Sequence, residues 1–497
     1  MTAPSTPSPS RTGMRFPDQP IYSGWDTPSR VEADLFEILA DGEIPRDLCG
    51  RYYQIAPDPA FPNRTGDDIP FNGDGMLRMF TFADGHVDYR SRYVRTEKLK
   101  LERAARRSLF GAYRNPYTDH VTVAGRSRGA ANTSVAFHAG KLLVLKEDAR
   151  PTRIDTDSLE TDGVWDFDGG VSSPTFTAHP RVDPVTGEMF AFGFEAKGLA
   201  SRDIAYYVLD AHGKVVHEVW LEAPYTSMIH DFVVTQDYVI FPVMPTTTDL
   251  DRLKAGGPHW KWDPSKETCL GVMPRYGTAD QIRWYRGPAR WAYHFFNAYN
   301  EGTTTHIDGC VAEAQAAPFM YPDTLGGQYD ATKGVNRITR WTVDYAADDG
   351  KGFEEQVLQP EFTEFPLIDD RVETGRHSIG FAGACVIGDE HKGGNGIGRL
   401  NSILRYEFDK QQATGQYVLP EHFTFQEPVF VPRSDDASEG DGYLLALANN
   451  WTTMLNDLFI LDTADLAAGP VATLHLPLRL RSGIHGAWVP EHLVQVG

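Results

Sequence analysis

"LRMFTFADGHVDYRSRYV", residues 77–94, alternates apolar and polar side chains on either side of Ala83-Asp84-Gly85. A period of two marks a half-buried strand, and a short Asp-Gly turn between two such runs closes a β-hairpin. The form recurs along the chain. "VAFHAGKLLVLKED" (135–148) turns at Ala139-Gly140, and "RVDPVTGEMFAFGF" (181–194) turns at Asp183-Pro184-Val185-Thr186-Gly187. "IAYYVLDAHGKVVHEVWL" (204–221), "FVVTQDYVIFPVM" (232–244) and "LFILDTADLAAGPVATLHLP" (458–477) continue the series. Pro and Gly sit between the runs because tight turns need a fixed or positive φ. Helical periodicity is scarce. "RTEKLKLERAARRSLF" (95–110) and the stretch around "TDLDRLKAG" (248–256) are the exceptions, read as cap elements over one face.

Many short strands without interleaved helices specify an all-β protein. At 497 residues an open sandwich does not suffice. A β-propeller removes most exposed strand edges by radial repetition. No crisp repeat runs through the chain, so the blades are not of the WD type.

The charge balance is 47 − 68 = −21, which argues against nucleic acid and anionic membranes as partners. Arg103, Arg106 and Arg107 form only a small local basic cluster. Cys49, Cys269, Cys310 and Cys385 are far apart with no CxxC, which fits a reducing compartment rather than a disulfide framework. Residues 1–20 are rich in Pro, Ser and Thr, lack a signal-peptide core and read as a disordered tail. No run of 18 apolar residues is present. A cytoplasmic protein is expected; oligomeric state is not readable, and a homodimer stays open.

"WAYHFFNAYNE" (291–301) places His294 among aromatic side chains. His179 in "TFTAHPRVD", His230 in "SMIHDFVV" and His485 in "GIHGAWVP" have similar settings at the edges of apolar runs. Their spacings are 230 − 179 = 51, 294 − 230 = 64 and 485 − 294 = 191 residues. A four-stranded blade takes about 40 to 50 residues, more with loops, so one ligand per blade could converge on the propeller axis. Spacing alone leaves two readings open: core imidazoles with backbone partners, or a shared metal. The other twelve histidines, among them His212, His217, His259 and His391, lie in polar or Gly-rich stretches and read as surface residues.

Eight motifs in order resemble the carotenoid cleavage oxygenase family over most of the chain. They are "FNGDGM" (71–76), "TAHPRVDPVTGE" (177–188), "MIHDFVVT" (228–235), "YHFFNAYNEG" (293–302), "EFPLID" (364–369), "QEPVFVPR" (426–433), "EGDGYLL" (439–445) and "HGAWVP" (485–490). The resemblance implies a seven-bladed β-propeller over residues 21–497, with a cap of loops and short helices over the metal site. It implies non-heme iron(II) on His179, His230, His294 and His485, dioxygen as co-substrate and no organic cofactor. Glu147, Glu364 and Glu427 match the carboxylates behind three of the ligands, paired with His230, His294 and His485 respectively. A carboxylate accepting the far N–H fixes a ligand's tautomer and orientation and raises its basicity.

Within the family, "RSLFGAYRNPYTD" (107–119) and "VLKED" (144–148) look closest to the branch that splits phenolic stilbenes and phenylpropenes. Tyr113 and Lys146 match residues that contact the para-hydroxyl group, and Phe71 and Phe319 match aromatic positions flanking the bound ring. The segment 102–116 is basic and lacks a broad apolar face, so a small phenolic alkene is expected and membrane contact is not. One tension is built in. Lys146 and Glu147 are adjacent and would point to opposite faces of a regular strand, so both reach the site only if the strand ends or bulges there. The rival readings are an apocarotenoid-cleaving oxygenase with the same iron, a propeller hydrolase with calcium or zinc, and a non-catalytic binding platform. An all-histidine shell argues against calcium, which takes oxygen ligands.

Overall fold

In the computed structural model the hairpin at 77–94 closes through Asp84 (φ 52°) and Gly85 (φ 81°), with Ala83 paired to His86 across the turn. Both central residues are left-handed, the mirror-image turn whose twist matches the flanking strands. Ala139 (φ 50°) and Gly140 (φ 71°) repeat it between Ser134–His138 and Lys141–Leu145. The structure describes residues 14–66, 68–315, 323–325, 327–328, 330–348, 350–386 and 400–494.

The strands form a seven-bladed β-propeller of antiparallel sheets. Blade 1 has Gly486–Pro490 innermost, then Gly50–Pro57, Gly75–Ala83, His86–Tyr93 and Ala33–Leu35. Blade 2 runs from Ser134–His138 to Thr161–Val164, blade 3 from Arg181–Val182 to Val215–Glu222, and blade 4 from Val233–Val234 to Arg283–Gly287. Blade 5 runs from Trp291–Glu301 to Glu354–Gln359, and blade 6 from Thr363–Ile368 to Gln412–Val418. Blade 7 starts at Phe423–Pro432 and ends with Leu39–Gly42 paired on Pro470–His475. The ring is thus stitched twice by strands distant in sequence: Gly486–Pro490 on Gly50–Gln54, and Leu39–Gly42 on Ala472–His475.

Strand alternation sorts side chains between neighbouring blades. Leu142 and Val144 join Tyr53, Ile55 and Leu77 at the interface with blade 1. Leu143 and Leu145, one residue out of phase, join Met189, Ala191 and Tyr207 at the interface with blade 3. A strand packed on both faces loses its polar positions, and Met189–Phe194 is buried throughout. The outer strand Val215–Glu222 still alternates.

Helix α1 spans Glu97–Ala105, shorter than the 95–110 pattern suggests. It stops at Arg106 (φ 56°) because the buried Glu102 carboxylate turns to accept the Leu109 and Phe110 amides while pairing with Lys98. Helix α2 spans Leu250–Lys254, capped by the Asp249 side chain. Beside it lies a small sheet of Thr246–Thr247, Lys261–Trp262, Asp323–Thr324 and Gly327–Gln328. Of the expected tail, residues 1–13 lie outside the described residues, and Phe16 meets Tyr22 with ring centroids 5.1 Å apart. All four cysteines are free thiols. Among the described residues no helix is long and apolar enough to cross a membrane.

The close strand approach at Gly442 gives a direct test of blade packing. A Cβ there would lie 2.0 Å from the Val431 carbonyl oxygen, which as backbone cannot swing aside. Gly442→Ala is expected to destabilise the protein by about 1–3 kcal/mol, seen as a lower thermal unfolding midpoint with the metal content per folded chain unchanged.

Candidate metal centre

Four imidazoles from four blades converge on the axis. His179 precedes the inner strand of blade 3, His230 that of blade 4 and His485 that of blade 1, while His294 lies within the inner strand of blade 5. Their ligand atoms all lie within 4.8 Å of one another. The Nε2 atoms of His179 and His230 are 3.1 Å apart, and those of His230 and His294 are 3.2 Å apart.

Three carboxylates fix which nitrogen faces inward. The Nδ1 of His230 lies 2.6 Å from Glu147, that of His294 2.7 Å from Glu364, and that of His485 2.8 Å from Glu427. A carboxylate can only accept, so each Nδ1 donates and each neutral ring keeps its lone pair on Nε2. Facing lone pairs at such distances repel, and a cation between them turns that repulsion into coordination. The His485 Nε2 is buried with no hydrogen-bond partner in the structure, as a ligand atom aimed at a cation is. Neutral imidazole suits iron, zinc, copper and nickel rather than calcium. Burial and the neighbouring imidazoles hold His179 and His294 well below the usual histidine range, so they stay unprotonated and able to ligate. Burial alone would raise Glu147, but the His230 hydrogen bond and the Lys146 and Arg114 charges outweigh it and hold the carboxyl at about 2.

Backbone irregularities aim these groups. The pairing register shifts between Ala292 and Phe295 around His294, between Glu364 and Leu367, and between Phe425 and Pro428 around Glu427. A bulge kinks a strand and redirects a side chain that regular alternation would bury between blades. Pro366 and Pro428, which lack an N–H for the ladder, sit at two of the three irregularities. Phe365, at φ 55°, is turned onto the centre, stacking on His294 at 5.6 Å and meeting His485 edge-on at 5.7 Å. Tyr293 meets His230 edge-on at 5.3 Å. Tyr293 belongs to the aromatic surroundings of His294 that the sequence shows, whereas Phe365 was not singled out; the adjacent Pro366 was the available signal for it.

The strand Lys141–Leu145 ends before Lys146, which removes the expected conflict with Glu147. Both side chains turn inward. Lys146 is 3% exposed, with Nζ donating to the Phe71 carbonyl at 3.1 Å and to Asn132 Oδ1 at 3.2 Å. Its Nζ stands 4.9 Å from the centre of the Tyr113 ring. Burial pulls the Lys146 ammonium below its ordinary value, against the opposing pull of Asp148 and Glu147. Phe71, Tyr113 and Lys146 are therefore brought together beside the His230–Glu147 pair, whereas Phe319 lies outside the described residues.

The reading of twelve surface histidines needs correction. His138, His259 and His377 are buried: His138 faces the Asp210 carbonyl, His259 faces Glu195, and His377 Nε2 lies 3.1 Å from Asp308 Oδ2. Polar sequence surroundings concealed them, because the partners come from other blades and loops. His391 lies outside the described residues.

The family model described as Retinal pigment epithelial membrane protein matches residues 26–490. Isoeugenol monooxygenase of Pseudomonas nitroreducens is 43% identical over 483 residues, covering 95% of this chain and 98% of that protein. Lignostilbene-alpha,beta-dioxygenase isozyme III of Sphingomonas paucimobilis is 41% identical over 479 residues, covering 95% and 97%. The crystal structure of Pseudomonas brassicacearum lignostilbene dioxygenase superposes with a TM-score of 0.92 at 39% identity, covering 96% of this chain and 100% of that one.

Removing one carboxylate tests the centre without removing a ligand. Glu427→Gln is expected to weaken binding of a divalent transition metal by about 10- to 100-fold, measured by titration of chelator-stripped protein. His294→Ala should abolish stoichiometric binding, and full retention of metal would remove His294 from the ligand set.

Proposed function

The chain belongs to the carotenoid cleavage oxygenase family, and we propose on that premise that it is an iron(II)-dependent dioxygenase cleaving the C=C bond of alkenes conjugated with a 4-hydroxyphenyl ring. Its substrates are stilbenes such as lignostilbene or resveratrol, or phenylpropenes such as isoeugenol and 4-vinylguaiacol, and its products are aromatic aldehydes. One dioxygen and one C=C bond give two C=O groups, so the atoms balance with no external reductant. His179, His230, His294 and His485 are assigned as the iron ligands, oriented by Glu147, Glu364 and Glu427. Iron held there supplies the activation of dioxygen.

What the chain's own residues do rests on one observation: Lys146 is buried beside Tyr113, directly next to the glutamate that holds His230. A para-hydroxyl group that loses its proton becomes an electron-releasing phenolate and enriches the conjugated double bond. Lys146 stabilises that phenolate by charge, and Tyr113 donates a charge-assisted hydrogen bond to it. The carbonyl of Phe71 and the amide oxygen of Asn132 keep the ammonium in place. Phe71, Tyr293 and Phe365 line the space with rings, which orients an aromatic substrate and keeps water from the centre. A small phenolic is supported over a membrane-dissolved polyene by the outer side of α1, where Glu97, Lys100 and Arg103 stand while Leu99 is buried.

The test is anaerobic reconstitution with iron(II), then incubation in air with 4-hydroxystilbene and with isoeugenol, followed by chromatography of the aldehydes. 4-Hydroxybenzaldehyde or vanillin formed only with iron and dioxygen is the expected result. Cleavage of an apocarotenal with neither phenolic substrate consumed would keep the metal centre and overturn the substrate assignment. Lys146→Ala is expected to lower turnover of the phenolic alkene by about 100-fold or more with iron content unchanged. A para-methoxy analogue should react far more slowly than the phenol; equal rates would remove the phenolate roles of Lys146 and Tyr113.

A further inference from the structure

We propose that Arg114, Glu195 and His259 form a buried positioning triad that fixes Tyr113 beside Lys146 and thereby sets the selection for a free para-hydroxyl group. This rests on the phenolic reading above. None of the three residues is part of the metal centre, and they come from three separate segments: the loop after α1, the end of the second strand of blade 3, and the loop after α2.

The three residues are linked pairwise, while Nε and Nη1 of Arg114 are buried without a hydrogen-bond partner. Arg114 Nη2 donates to Glu195 Oε2 at 2.7 Å, and His259 Nε2 lies 2.9 Å from the same oxygen. The His259 Nδ1 lies 2.9 Å from the Arg114 carbonyl, so the imidazole grips both the backbone of Arg114 and the carboxylate that holds its side chain. Glu195 Oε1 also accepts the Ala200 amide at 2.6 Å. The Arg114 guanidinium lies 4.9 Å from the Phe194 ring and 5.3 Å from the Trp260 ring. The side chains of Arg114, Glu195 and His259 are 3%, 2% and 0% exposed, so water does not compete for these bonds.

Backbone strain points to the purpose. Arg114 (φ 51°) and Glu195 (φ 50°) both hold the left-handed conformation, although neither is glycine. Such strain persists only where the surroundings over-determine it, and it gathers at functional sites. Here it makes the chain reverse directly after Tyr113. The Tyr113 amide is held by Asp68 at 3.1 Å, and Asn115 is tied to the carbonyls of Leu253 and Gly257 at 3.0 and 2.8 Å. Tyr113 is thus the residue presented between two anchored neighbours. A hydrogen bond to a substrate oxygen is sensitive to displacements that packing alone would tolerate.

The experiment uses the iron(II)-loaded enzyme with 4-hydroxybibenzyl and 4-methoxybibenzyl, which lack the scissile double bond, and reads the ratio of their dissociation constants by calorimetry. Glu195→Gln keeps the shape and removes the charge; Arg114→Lys keeps the charge and loses the planar fork. In both variants the wild-type preference for the phenol is expected to shrink by about tenfold or more, with methoxy binding and iron stoichiometry unchanged. A preserved ratio overturns the proposal. So does an equal loss of both affinities or a loss of iron in both variants, since either assigns the triad to the fold alone. A wild-type protein that binds the two compounds equally removes the phenolic reading itself, which is a different result from a selective wild type with selective variants.

Discussion

Four imidazole lone pairs aimed at one point repel one another, and the rest of the architecture exists to hold them there. With Nε2 atoms 3.1 and 3.2 Å apart and ring centroids 4.5 and 4.7 Å from His485, any freedom of rotation would let the rings turn away. Glu147, Glu364 and Glu427 remove that freedom for three of them. The division of labour is complete around the ring. Blades 1, 3, 4 and 5 each bring one histidine, and blades 2, 6 and 7 each bring one glutamate. The centre is therefore a product of all seven blades, and a shift of any blade about the axis is felt at the four imidazoles.

On the capped side, one short segment joins two tasks. Ending a strand at Leu145 releases the next two residues from alternation, so Glu147 turns to His230 and Lys146 turns to Tyr113. The orientation of His230 and the phenol recognition proposed for Lys146 then share a single peptide unit. The distance between them is set by covalent geometry rather than by the packing of two independent loops.

Much of this was legible in the sequence, and the limits have physical causes. Hairpin turns could be read because left-handed backbone at Asp84-Gly85 and Ala139-Gly140 demands particular residues. The four histidines were visible as candidates, since each follows or interrupts an apolar run at roughly blade spacing, yet only family resemblance separated them from ordinary core imidazoles. Resemblance also supplied the glutamate pairings, which no spacing rule could give. The strand bulges that aim His294, Glu364 and Glu427 were not readable, because a bulge depends on the partner strand as much as on its own sequence. His259 was misread for the same reason: its acceptors, Glu195 and the Arg114 carbonyl, are 64 and 145 residues away. The end of α1 escaped because it depends on Glu102, a buried cap for the loop that follows, whose role the local sequence pattern does not show.

The double stitching of the ring has a consequence in time. His485 stands directly before Gly486–Pro490, the strand that closes blade 1 onto Gly50–Gln54. A chain growing from its N-terminus can build blades 2 to 6 as each hairpin emerges, in the order in which domains fold during synthesis. It cannot join the two ends of the ring, or bring the fourth imidazole to the axis, until that late strand has been made. Closure of the propeller and completion of the metal centre are then one event. A nascent chain that stalls earlier carries an open sheet edge and an incomplete set of imidazoles together.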